Sequence, residues 1–248
     1  MGGILRAASF GQERGRRTVT GKPHRLDAQN AAGRWIDRSR RVAFSFDGRA
    51  LTGHVGDSLA SALLANGRRL VGRSFKYHRP RGVVGLGAEE MNALVGVGEG
   101  NRHEPNLRAT MVELHDGLVA VSQNRWPTLE FDSGAASGRL SRLFPAGFYY
   151  KTFMWPQAFW KGLYEPLIRR AAGLGRAPRG RDPDFYEHVH VQCDVLVVGA
   201  GAAGLAAAEA AAASGARVII ADENARFGGV ADLTQSTIDG APPEEWTA

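Results

Sequence analysis

The most specific chemical spacing in the chain is Gly199-Ala200-Gly201-Ala202-Ala203-Gly204. Glycines at the first, third and sixth places let a backbone turn tightly, come close to a pyrophosphate, and pack a helix hard against a strand. A helix opening at Ala202 and Ala203 would offer free N–H groups and the positive end of its dipole to the phosphates. Asp222 follows where a carboxylate accepts hydrogen bonds from ribose hydroxyls, and Glu223 is the adjacent candidate. An acid there favours an unphosphorylated ribose, as in NAD or FAD, over NADP. Gly228 and Gly229, after Arg226-Phe227, add a second glycine pair of the kind seen in NAD- and FAD-linked folds.

The elements that must position these residues are legible around them. Asp194-Val195-Leu196-Val197-Val198 is a continuous apolar run, expected as a strand buried on both faces of a parallel sheet. Ala202 to Ser214 reads as an Ala-rich helix ending at Gly215, and Arg217 to Ala221 as a second buried strand. Strand, glycines, helix, strand and terminal acid in this order predict the start of an α/β Rossmann-type dinucleotide-binding domain over 191–248, incomplete in this chain. The ending Asp239-Gly240-Ala241-Pro242-Pro243 reads as a loop inside a longer protein.

Upstream, residues 34–128 read as a compact α+β module in the order of a small β-grasp domain. Arg41 to Phe46 alternates apolar and polar, Asp47-Gly48 is a hairpin turn, and Arg49 to Val55 is the partner strand. Asp57 is placed to cap a helix carrying Leu59, Ala62 and Leu63, with Gly67 stopping it. A second hairpin is expected from Ala109–Leu114 and Val119–Ser122 around Asp116-Gly117. Residues 129–190 form a connector. Eight of the chain's 21 aromatics fall within 148–164, the density of a core or of a subunit interface. A helix is predicted there from Trp155 to Ala172, with Pro156 in its first turn.

The chain has 248 residues and a net charge of +6, which locates to its start. Residues 1–41 hold ten Lys/Arg against three Asp/Glu, and the remainder holds 21 against 22. Residues 1–33 are therefore expected as a basic disordered tail, with no nucleic-acid face on the folded part. No apolar run reaches the length of a membrane span, no secretory signal opens the chain, and a cytoplasmic location with no membrane partner is expected.

Other candidates for chemistry read as structural. Lys76, His78, Arg79 and Arg81 suit an interdomain loop better than an anion site. His188 and His190 lack a third ligand nearby, so no metal site is expected. Glu89 and Glu90 are adjacent, so their side chains diverge and form no catalytic dyad. No residue has the setting of a catalytic group.

Several strings resemble the alpha subunit of heterotetrameric sarcosine oxidase: Arg73 to Gly82 (RSFKYHRPRG), Glu89 to Val95 (EEMNALV), Ser122 to Pro127 (SQNRWP) and Ala146 to Pro156 (AGFYYKTFMWP). The resemblance runs from about Gly33 to Glu223, with Met91 and Ala202 standing where the family commonly has Pro. It implies that the β-grasp domain over 34–128 is ferredoxin-like, and that the chain is the N-terminal portion of a flavin-dependent oxidoreductase that demethylates sarcosine to glycine, inactive alone. It also implies NAD at the glycine motif, FAD and FMN elsewhere in the assembly, and beta, gamma and delta type subunits as partners. Folate-dependent one-carbon chemistry would belong to later parts of the alpha chain. The alternatives are a non-catalytic assembly module, or the corresponding chain of a related opine, proline or amine dehydrogenase. Cluster-binding relatives carry cysteines after the first helix, whereas Arg73 to Gly87 has none and the chain's one cysteine is Cys193. No iron–sulfur cluster is therefore expected.

Overall fold

A computed structural model of the chain describes residues 25–26, 33, 35–75, 77–136, 138, 155–224 and 226–234. Lys76, most of the 1–33 tail and most of the aromatic run before Trp155 lie outside the described residues.

The first hairpin forms as its alternation predicts. β1 (Asp37–Phe46) pairs antiparallel with β2 (Arg49–Val55), and Phe46 faces Arg49 across the turn. Asp47 and Gly48 both take positive φ, 51° and 73°, the geometry a two-residue turn with the right strand twist requires. The helix α1 (Leu59–Ala65) follows and buries Leu59, Ala60, Ala62 and Leu63. Its cap is Ser58, whose side chain accepts from the Ser61 N–H, and not Asp57 as the sequence suggests.

After the short ribbon β3 (Gly72–Arg73) and β4 (Pro80–Arg81), β5 (Leu94–Val97), β6 (Glu104–Arg108) and β7 (Leu118–Ser122) complete a five-stranded sheet of order β2-β1-β7-β5-β6. β7 lies parallel to β1, with Phe44 beside Leu118, and antiparallel to β5. The core gathers between sheet and helix from Phe44, Phe46, Leu59, Leu63, Val71, Val95 and Leu118.

The second hairpin is the main departure. Residues 109–114 form no strand, and β7 pairs with β1 and β5 instead of with them. The reason lies in backbone hydrogen bonding. The Leu59 and Ala60 N–H groups, orphan donors at the start of α1, bond to the carbonyls of Val112 and Ala109. Residues 109–114 thus spend their acceptors on capping the helix.

In the connector the helix starts later than predicted. A π-helical turn covers Trp160–Tyr164 and α2 covers Glu165–Ala171. Pro166, lacking an N–H, cannot close the ordinary bond to residue 162, and the Glu165 N–H reaches the Trp160 carbonyl instead. The chain then docks on the first domain. Asn106 Oδ1 accepts from the Gly175 N–H at 2.8 Å and from Gln123 Nε2 at 2.8 Å, and Arg102 pairs with Asp184 at 2.9 Å.

The last unit is β8 (Val195–Val198), α3 (Ala202–Ala213) and β9 (Val218–Ala221), a β–α–β arrangement with parallel strands. A short helix α4 (Val230–Thr234) follows. The strands are not buried on both faces, contrary to the expectation. α3 covers the Val197 side, while Leu196 and Val198 are 58% and 80% exposed. Only one helix packs on this two-stranded sheet among the described residues. None of the described helices is long and apolar enough to cross a membrane.

Candidate functional site

The glycine turn is built by β8, α3 and β9 together. Gly199 leaves the strand at φ +99°, and its N–H donates to the Ala221 carbonyl at 2.7 Å, so the turn starts from the paired strand ends. Gly201 takes the N-cap position of α3 with no side-chain cap, and the first helical bond runs from the Leu205 N–H to its carbonyl. The N–H groups of Ala202, Ala203 and Gly204 precede that bond and point out of the helix start.

Each glycine is explained by what a side chain would meet. At Gly204 a Cβ would drive into the Gly199 carbonyl, so helix and strand close only on glycine. At Gly201 a Cβ would meet nothing within 4 Å, which leaves the backbone open to an incoming group. The second glycine pair completes the rim. The Gly228 N–H donates to the Ala200 carbonyl at 2.8 Å, and a Cβ on Gly229 would sit 3.2 Å from the Gly201 Cα. Open backbone, free donors and a helix of twelve residues fit a diphosphate.

Asp222 caps the far side. Its Oδ2 accepts from the Ala200 N–H at 2.5 Å, and its Oδ1 accepts from the Asn224 N–H and Nδ2, both at 2.7 Å. The Ala200 N–H, then that of Asn224, hold its carboxyl below the usual aspartate range. Asp222 therefore ties the turn to the end of the second strand. Glu223 faces a cleft between this unit and the first domain.

Several polar anchors were missed in the sequence. Glu90 is 1% exposed, with Oε2 accepting from the N–H groups of Val84 and Gly85 and Oε1 from those of Asn92 and Ala93, at 2.6–3.0 Å. Burial pushes its carboxyl up, and the four donors outweigh burial, leaving it below the ordinary value. Glu89 accepts from the next two N–H groups of the same loop, Leu86 and Gly87, so the two carboxylates hold one stretch of backbone instead of diverging as expected. Asp57 is buried, accepting from Ser61 Oγ, the His54 N–H and both terminal nitrogens of Arg25. Arg25 is thus anchored, although the sequence places it in a disordered tail. In the loop holding His78, Arg79 and Arg81, His78 Nδ1 lies 2.6 Å from Asp132 Oδ2, and Arg73 reaches the Leu129 and His78 carbonyls. His78 and Arg73 thus staple the base of that loop to residues 129–132, while Arg79 and Arg81 are exposed. The only advance signal for Glu90 or Asp57 was an acid beside glycines or a helix start.

Residues 39–125 match the family of the 2Fe-2S iron-sulfur cluster binding domain, and residues 194–245 match the FAD binding domain. The alpha subunit of sarcosine oxidase from Rhizobium meliloti is 62% identical over 205 residues, 83% of this chain and 21% of its own length. The chain is homologous to the sarcosine oxidase alpha subunit. The counterpart from Corynebacterium (strain U-96), also a sarcosine oxidase alpha subunit, is 37% identical over 91% of this chain and 19% of its length. The chain therefore spans about a fifth of the curated relatives that it matches. An opine oxidase subunit from Agrobacterium tumefaciens is 59% identical over 46 residues, 18% of this chain and 8% of its length. Among solved structures, L-proline dehydrogenase from P. horikoshii gives a TM-score of 0.42 at 19% identity, over 84% of this chain and 30% of that one.

These matches correct the cofactor expectations. The expectation of no iron–sulfur cluster is overturned, because the first domain is of the 2Fe-2S cluster-binding type. The dinucleotide named for the second match is FAD, where the resemblance implied NAD. The donors for a cluster are a separate matter of composition. Residues 39–125 contain no cysteine, and Cys193, half-buried, lies outside the match. Those residues do not supply the thiolates that hold such clusters, and no electron-transfer step is assigned to them. No group of three or more His, Cys, Asp or Glu converges as a metal site among the described residues.

Proposed function

We propose that this chain is the N-terminal portion of the alpha subunit of a flavin-dependent amine oxidoreductase of the sarcosine oxidase type, and that it supplies the opening of a dinucleotide site. The observation that carries this reading is the 62% identity to a sarcosine oxidase alpha subunit over 83% of the chain. The proposed division is a basic segment over 1–33, a ferredoxin-like β-grasp domain over 34–128, a connector over 129–190 and the start of a Rossmann-type domain from 191. The substrate, N-methylglycine, would be oxidised in the assembled enzyme, with beta, gamma and delta type subunits supplying the remainder.

In the proposed site Gly199, Gly201 and Gly204 shape the turn, and the N–H groups of Ala202, Ala203 and Gly204 hold the diphosphate. Gly228 and Gly229 support the turn from below. Asp222 and Glu223 accept from ribose hydroxyls. FAD supplies flavin redox chemistry when bound, and these residues only bind and orient its adenosine diphosphate half.

The test is equilibrium binding of ADP, the half shared by FAD and NAD, to the full-length subunit in its assembly. Gly201→Val, which fills the open approach, is expected to weaken ADP at least tenfold with the fold intact by circular dichroism. Unchanged ADP affinity would overturn the site. Competition by FAD and by NAD against bound ADP then decides which dinucleotide it takes.

A further inference from the structure

A cleft of about 560 Å³ separates the ferredoxin-like domain from the loop after β9, and it is walled by both. From the second unit come Glu223, Asn224, Arg226 and Gly229, and from the first come Trp35 and Leu64. Gly229 lines the cleft and lies against Gly201, so the cleft and the glycine turn are neighbours across that residue. The Arg226 guanidinium stacks over the Trp35 ring at 4.3 Å from its centroid, which makes a flat wall from one residue of each unit. Leu64, 42% exposed at the end of α1, is an apolar group facing this space.

We infer that the ferredoxin-like domain forms part of the nucleotide site, with the adenosine end of the dinucleotide lying in this cleft between Leu64 and the Trp35–Arg226 pair. The inference rests on the dinucleotide reading above and adds a role for the other domain. A diphosphate held at Gly201 extends its ribose towards the acids at the end of β9, where Glu223 and Asn224 offer an acceptor and an amide to the hydroxyls. The base beyond that ribose is a flat, uncharged ring with a polar edge. A stacked wall on one side and an apolar group on the other suit it. The volume is ample for an adenosine. Binding there would place the ligand between the two domains, so the first domain contributes affinity and base preference without touching the redox ring.

The experiment uses the full-length subunit in its assembly, with ADP and its photoreactive 8-azido analogue. Leu64→Trp, which fills the cleft from an exposed position, is expected to weaken ADP about tenfold or more, and Trp35→Ala to weaken it several-fold. Irradiation of the wild type with 8-azido-ADP should label peptides carrying Trp35 or Leu64, read by mass spectrometry. ADP affinities within twofold of wild type in both variants, with label confined to 199–229, would overturn the inference and leave the glycine site standing. Absence of ADP binding by the wild type, or binding unmoved by Gly201→Val, would instead sink the dinucleotide reading.

Discussion

At the scale of single residues, two carboxylates hold backbone in place. Glu90 gathers the loop from 84 to 93 by accepting four N–H groups, and its carboxyl is held below the ordinary value. The sign of the linkage follows. Stabilisation from Glu90 is fully present above the unfolded-state value of roughly 4.3 and is lost as pH falls through the lower folded value. Glu90→Gln places an amide donor against two of those N–H groups. It is expected to cost on the order of 2–4 kcal/mol at neutral pH. Thermal unfolding from pH 7 to 3 should show the wild type converging on the variant as acid removes the advantage, and parallel curves would refute the account. Asp222 joins the glycine turn to the end of β9 and is also a proposed ribose acceptor. Asp222→Ala is therefore expected to lower ADP affinity and also to loosen the turn. Amide exchange at Ala200 separates the two effects.

At the scale of elements, Asp57 shows how a local signal was misassigned. An acid ahead of an apolar helix reads as a cap, and the adjacent Ser58 takes that position instead. Asp57 is left buried, satisfied by Arg25, His54 and Ser61. Ser58→Ala should cost about 1 kcal/mol, the usual value of a cap. Asp57→Ala should cost about 3 kcal/mol or more, because it strands buried donors and the Arg25 charge. Chemical denaturation of the two variants checks the order, and a costlier Ser58 change would reverse the assignment.

The legibility of the other elements follows the same logic. The first hairpin was readable because alternation and an Asp-Gly turn are local facts. The β–α–β unit was readable because glycines must stand where the backbone closes, as Gly204 does against the Gly199 carbonyl. Residues 109–114 were not readable. Their apolar pattern suits a strand, but their carbonyls are committed to the start of α1, a partner some fifty residues earlier in the chain. The late start of α2 followed from Pro166 and was missed by reading Pro156 as the first turn. Of the proposed site, the glycine turn was legible by spacing, while the cleft lined by Trp35 and Leu64 was not, since no motif links them to Arg226.

At the scale of the molecule, apolar surface is left uncovered in particular places. Leu196 and Val198 face outward from β8, and Trp155, Phe185 and Val189 of the connector are 73–95% exposed. Exposed sheet faces and aromatic patches of this kind mark contact surfaces or aggregation hazards. Residues 1–248 expressed alone are expected to bind a hydrophobic dye strongly and to elute as aggregate by size exclusion. The full-length subunit with its partners should do neither. A monodisperse, dye-silent 1–248 would show that these surfaces need no cover.

The parallel pairing of β1 with β7 sets an order of events during synthesis. β1 and β2 can zip together as soon as residue 55 is made, yet the neighbour on the other side of β1 arrives only with Leu118. Until then the nascent chain carries a two-stranded ribbon open along both edges, too small to persist by itself. Closing the long loop between them is the entropically expensive step, and little of the core can form before it is made. The ferredoxin-like domain is thus a unit that completes all at once, late in its own translation. A nucleotide cleft that borrows Leu64 from it exists only after that moment.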